Sequence, residues 1–263
     1  MTMATMPLMN NHLTILTGSS RGMGLAMARQ LLTQGHTVLG ISRTTPDTLM
    51  QHAVLSGAAL LQWTHDLADS AVLGERLARW LTNSRNGPDG KAWASVTLIN
   101  NAGVLARISP FSETDANDLA RALRVGLEAP MQLTAAFLRA TGDWPAQRKV
   151  LNISSGLGRR AMASQAAYCA AKAGLDHFTR CLALDEALKS NGAKVCALAP
   201  GVIDTDMQSQ LRGADKADFP DRENFVRLQS GGQLASADEA ASRVLGYLAR
   251  PDFGAQPVAD VRD

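Results

Sequence analysis

The sequence predicts an α/β fold of the doubly wound kind, a parallel sheet with helices on both faces, built as a single domain over residues 1–263. Three observations carry that expectation. Short apolar runs alternate with helix-length segments along the whole chain. The runs are continuously apolar rather than alternating, as strands covered on both faces must be. A glycine-rich turn stands directly after the first of them, where a strand gives way to a helix.

The elements follow in order. A first strand over 12–17 passes through the glycine turn into a helix over 23–33, and strands are expected at 37–41 and 59–63. A helix over 71–81 leads, through the polar Gly- and Pro-containing loop 83–91, to a strand over 95–100. One long helix is expected over 116–139, then a strand over 149–154, a helix over 165–189 and a strand over 194–198. Residues 204–232 are polar, follow a strand end and close on Ser230-Gly231-Gly232, which suits a lid over the carboxyl edge of the sheet. Residues 1–11 read as a loose leader with neither a basic start nor an apolar core of a secretory signal.

Composition narrows the classes. Hydrophobic residues at 46% and charged residues at 19% are those of a folded chain. The 26 basic residues against 24 acidic ones leave a formal charge of +2, which speaks against nucleic acid or a membrane surface as main partner. No apolar stretch is long enough to span a bilayer. Three cysteines, Cys169, Cys181 and Cys196, without a C-x-x-C pair fit a reducing, cytoplasmic setting. The five histidines have no ligand spacing, so no metal site is expected.

Chemistry concentrates at a few places. Gly18, Gly22 and Gly24, with Ser20, Arg21 and Met23 among them, lie where backbone N–H groups at a helix start can take a pyrophosphate. Tyr168 and Lys172 are four residues apart and share a helix face. An ammonium there favours phenolate and is expected to lower the phenol from its ordinary value near about 10. Tyr168 can then exchange a proton with a carbonyl or alcohol oxygen. After the second strand stand Ser42 and Arg43 with no acid, so Arg43 and Arg21 are placed to pair with a 2′-phosphate, and the expected cofactor is NADP(H).

Gly18-x-x-x-Gly22-x-Gly24, Asn100-Asn101-Ala102-Gly103, Tyr168-x-x-x-Lys172 and Pro200-Gly201, in this order over about 12–260, resemble the short-chain dehydrogenase/reductase family. The resemblance implies a Rossmann-type fold and hydride transfer between a nicotinamide cofactor and a small-molecule carbonyl or alcohol. It implies a catalytic set of Tyr168, Lys172 and Ser155, the last thirteen residues before Tyr168. It further implies that Lys172 holds the nicotinamide ribose, that Asp66 and Leu67 meet the adenine, and that Asn100, Ala102 and Gly103 line the cleft. Pro200, Gly201, Val202 and Thr205 would sit by the nicotinamide, and homodimers or homotetramers are the family habit.

Ala129-Pro130-Met131, Ser154-Ser155-Gly156 and the tail 254–260 are similar to the sepiapterin reductase and benzil reductase branch. That implies reduction of a small diketone or an aromatic or pterin-type ketone, and Asp260 either matches the position where such relatives hold the pterin or is a solvated C-terminal acid. One departure stands out. Gly126, in Val125-Gly126-Leu127, takes the place of the family's relay Asn, which opens the alternative of an NADP(H)-binding regulatory protein with weak or lost catalysis. Arg159 and Arg160 read as a solvated turn or as contacts to an anionic substrate. Trp144, Met207, Leu211 and Phe219 either line an apolar substrate pocket or pack in the core and lid.

Overall fold

A computed structural model describes residues 11–263, so the expected leader, but for Asn11, lies outside the described residues. The strands are β1 (His12–Thr17), β2 (Thr37–Ser42), β3 (Leu60–Thr64), β4 (Ser95–Asn100), β5 (Gln147–Ile153), β6 (Lys194–Ala199) and β7 (Val258–Asp260). They form one parallel sheet in the order β3-β2-β1-β4-β5-β6-β7. The six expected strands are present within two residues at each end, and β7 is added at the edge beside β6.

The helices are α1 (Gly22–Thr33), α2 (Asp47–Ser56), α3 (Ser70–Thr82), α4 (Ala116–Leu123), α5 (Ala129–Thr141), α6 (Ala166–Ala187), α7 (Asp206–Gly213), α8 (Arg222–Ser230) and α9 (Ala237–Ala249). Successive strand residues point to opposite faces, and both faces are apolar. Leu16, Ile99, Leu151 and Leu198 pack with α1, α2 and α9, while Leu13, Ile15, Leu98 and Val150 pack with α3, α5 and α6. This is why the strands read as unbroken apolar runs. No helix among the described residues is long and apolar enough to cross a membrane.

Two elements depart from expectation. The helix expected over 116–139 is broken into α4 and α5 by a π-helical turn at Arg124–Glu128, centred on Gly126. Glycine is a poor helix former, and Pro130 suits only the first turn of a new helix. The second departure is α2, which buries only Leu49 and Ala53 and leaves Met50, Val54 and Leu55 exposed, so its sequence lacks a clean apolar stripe. Segment 204–232 is no plain loop. It folds as α7 and α8 around Leu211, Phe219 and Phe225, with the two rings stacked at 5.6 Å. Trp144 is buried in the core cluster that also holds residues of α3 and α5.

At the opposite, amino end of the sheet His12 and His36 lie with ring centroids 5.0 Å apart. His12 Nδ1 bonds Ser95 Oγ at 2.7 Å and His36 Nδ1 bonds Thr14 Oγ1 at 3.1 Å. Burial, seconded by His12, pushes His36 down from 6.5 to about 4. The unfolded chain therefore binds more protons than the folded one between these values, and stability falls as pH drops through that window. A urea midpoint measured from pH 6.5 down to 4 should fall in the wild type and fall much less in His36→Gln. Equal slopes in the two proteins would contradict this account.

Candidate active site

The sheet winds outward in two directions from the β1–β4 pair, so the carboxyl ends of these strands flank a crevice. Thr17 Oγ1 accepts from the N–H groups of Asn101 and Ala102 at 3.0 and 3.1 Å. Asn101 Nδ2 in turn donates to the carbonyls of Thr17 and Gly18 at 3.0 and 3.3 Å. These bonds join the two turns at the floor of a cleft of about 1050 Å³.

Gly18 takes a φ of +73°, a left-handed conformation that side chains resist. A Cβ on Gly24 would lie 2.0 Å from the Gly18 carbonyl oxygen, so helix α1 approaches this turn as only glycine allows. Arg21 precedes α1 in extended conformation, its side chain caps nothing, and the first turn carries no acid. The helix start thus presents uncapped N–H groups to the cleft, the donor set that a pyrophosphate requires. Ser20, Arg21, Gly22 and Met23 line this end.

Ser42, Arg43, Asp66 and Leu67 form the next stretch of wall. Arg43 is exposed and makes no ion pair among the described residues, whereas Arg21 pairs with Asp206 of α7 at 2.6 Å, both side chains largely in solvent. Asp66 accepts from Ala68 N–H at 3.0 Å and from Arg121 at 2.9 Å. The Ala68 bond above all, with Arg121 helping, holds its carboxyl below the usual range. Ala102 and Gly103 line the cleft, but Asn100 does not. Asn100 is buried beneath it, donating to Thr134 Oγ1 at 3.2 Å and Asn152 Oδ1 at 2.8 Å, and its neighbour Asn101 takes the place expected of it. Strand alternation turns one of two adjacent asparagines down, and the sequence alone does not say which.

Ser155 follows β5, and its Oγ accepts from Leu157 N–H at 3.2 Å. Tyr168 and Lys172 occupy the first two turns of α6, on the wall shared with Ser155. Lys172 is 4% exposed, its Nζ donates to the Ile153 carbonyl at 2.7 Å and sits 5.6 Å from the Tyr168 ring centre. Burial pushes Lys172 down to about 8, with Asp176 opposing. Tyr168 does not move in the expected direction. Burial pushes its phenol up to about 12, drawn back in part by a hydrogen bond with Ser155.

Pro200, Gly201, Val202 and Thr205 close the far side of this end. Beyond them the cleft is walled by Leu105, Met162, Met207, Leu211 and Phe225, with Arg160 exposed at the rim, while Phe219 is wholly buried within the segment that carries α7 and α8. Asp260 lines the cleft, yet Arg262 grips both its oxygens at 2.7 Å and holds it below the usual carboxylate range. Gln165, one turn before Tyr168, and the residues of α8 on this wall carried no motif to reveal them. No three or more His, Cys, Asp or Glu among the described residues gather as a metal site would need.

Residues 12–216 match the short chain dehydrogenase family. A benzil reductase ((S)-benzoin forming) of Bacillus cereus is 34% identical over 239 residues, covering 91% of this chain and 94% of the relative. A sepiapterin reductase of Mus musculus is 32% identical over 257 residues, covering 95% of this chain and 96% of the relative. Among solved structures, a short-chain dehydrogenase/reductase from Burkholderia vietnamiensis is 35% identical with a TM-score of 0.64, covering 97% of this chain and 99% of that one.

Gly126 lies buried in the π-helical turn, and a Cβ there would come 3.1 Å from Ala171 Cβ on α6. Helix α6 lies close enough that Ala171 must give by a few tenths of an ångström to admit even a Cβ here. Gly126→Asn should therefore cost about 1–3 kcal/mol of stability through overpacking, read from denaturant midpoints. An unchanged or raised midpoint would contradict that packing.

Proposed function

The chain belongs to the short-chain dehydrogenase family, and from that premise we propose that it reduces a carbonyl of a small aromatic diketone with NADPH as cofactor. Membership makes it an oxidoreductase of carbonyl or alcohol groups. The observation that carries the finer reading is the joining of Ser155, Tyr168 and Lys172 to a glycine cradle and an apolar end within one cleft.

Gly18–Gly24, Arg43 and Lys172 would hold a nicotinamide dinucleotide, which when bound would supply a hydride. Tyr168, held at about 12, is fully protonated near neutrality and suited to give its proton to an oxygen that becomes alkoxide. Ser155 Oγ already accepts from Leu157 N–H, which leaves its own proton to donate to that same oxygen. Lys172, at about 8, is mostly ammonium at neutral pH, and its charge beside the ring stabilises the phenolate left behind.

NADP(H) over NAD(H) is supported by charge. The end of β2 offers Arg43 free of any ion pair among the described residues and no acid to accept from ribose hydroxyls. An aromatic diketone over a pterin is supported by Asp260, whose oxygens Arg262 occupies, and by the apolar wall of Leu105, Met162 and Phe225. One observation favours a second reading. Gly126 has no side chain to relay a proton, as an NADP(H)-binding regulatory protein would tolerate.

NADPH consumption with a panel of diketones, aromatic ketones and pterin aldehydes decides between them. Turnover on a diketone that falls about 100-fold or more in Tyr168→Phe is expected, since general acid catalysis contributes on that scale. Arg43→Ala should raise KM for NADPH by about tenfold or more and leave NADH unaffected. NADPH binding without turnover on any carbonyl would support the regulatory reading instead.

A further inference from the structure

Asp176 is 1% exposed, lies one helical turn beyond Lys172 on α6, and has no part in the chemistry described above. Its carboxylate accepts from the Ser154 hydroxyl on one oxygen. Arg159 Nε stands 3.3 Å from the other, an ionic contact rather than an aligned hydrogen bond. These two partners flank Ser155, one residue before it and four after. Between them the turn Gly156–Gly158 is pressed onto α6 so closely that a Cβ on Gly158 would lie 2.9 Å from Asp176 Oδ2 and 3.0 Å from the Lys172 carbonyl oxygen. Arg159 continues outward, its Nη2 donating to the Ala259 carbonyl of β7 at 3.1 Å.

We propose that Asp176 and Arg159 form a positioning pair that clamps the Ser155 turn onto the helix carrying Tyr168 and Lys172. The inference deepens the reductase reading above and rests on it. Burying a carboxylate is costly, and apolar replacements of a buried ion pair are often as stable or more so, so stability is a weak reason for this one. Geometry is a better reason. Ser155 belongs to a glycine-rich turn and Tyr168 to a helix, and nothing in the backbone ladders of either fixes their separation. A carboxylate that grips both sides of Ser155 fixes it, and a serine misplaced by about 1 Å costs rate on the order of 100-fold.

The test uses Asp176→Asn, which keeps size and loses charge, together with Arg159→Gln, whose side chain is part-exposed and less able to unfold the chain. Two readouts are taken on each purified protein. Amide hydrogen exchange over residues 154–160 should accelerate about tenfold or more while the later turns of α6 keep their protection. In the diketone assay kcat should fall about tenfold or more with KM for NADPH within about twofold. The double variant should lose little more than the worse single one, because both remove the same clamp.

Unchanged exchange over 154–160, a KM for NADPH that worsens along with kcat, or losses that multiply in the double variant would each overturn the proposal. A wild type without carbonyl turnover would refute the reductase reading, and the exchange measurement would still decide for or against the clamp. If Asp176→Asn does not fold, Arg159→Gln decides by the same criteria.

Discussion

The cleft exists because the parallel sheet reverses its winding between β1 and β4, and the Thr17–Asn101 bonds hold the two strand ends at that reversal. Successive crossovers on either side carry helices away from this line, which leaves the carboxyl ends uncovered and α1 aimed into the gap. The glycine turn follows from the same constraint. A helix that begins this close to a strand end has no space for Cβ at Gly24. Each later feature is hung on this frame, with Asp66 at the end of β3, Ser155 after β5 and Pro200 after β6.

The acid–base groups are shaped by burial more than by mutual attraction. Lys172 and Tyr168 are neighbours on α6, yet enclosure drives the lysine down and the tyrosine up, so each moves toward its neutral form. A tyrosine held protonated is a proton donor ready for an oxygen that becomes alkoxide. The polar groups around it are tied into the scaffold, Lys172 to Ile153 and Asn152 to Asn100 and Thr179. Such ties rigidify a site that loose packing would leave imprecise.

Much of this was legible in the sequence, and for physical reasons. Strands buried on both faces announce themselves as apolar runs, and Gly18 and Gly24 mark a turn whose close approach leaves no room for a Cβ. The motif residues therefore fall on one cleft, apart from Asn100. What stayed hidden was whatever depends on which way a side chain turns. Asn100 turned down beneath the cleft, Trp144 went to the core, and Asp260 met Arg262 two residues on. The break at Gly126 was hidden too, since an apolar helical period continues across it. Asp176 carried no signal at all, being one acid among many until the turn after β5 folds against it.

The central claim is that this cleft delivers a hydride to a carbonyl carbon placed beside Tyr168. It is tested most directly by incubating the protein with a diketone such as benzil and NADPH deuterated at the transferable position of the nicotinamide, then weighing the product. The account predicts a hydroxyketone one mass unit heavier, with the deuterium on the new carbinol carbon and none in Tyr168→Phe over the same time. A product that gains its hydrogen from water, or a deuterated cofactor that stays bound and unconsumed, would contradict it.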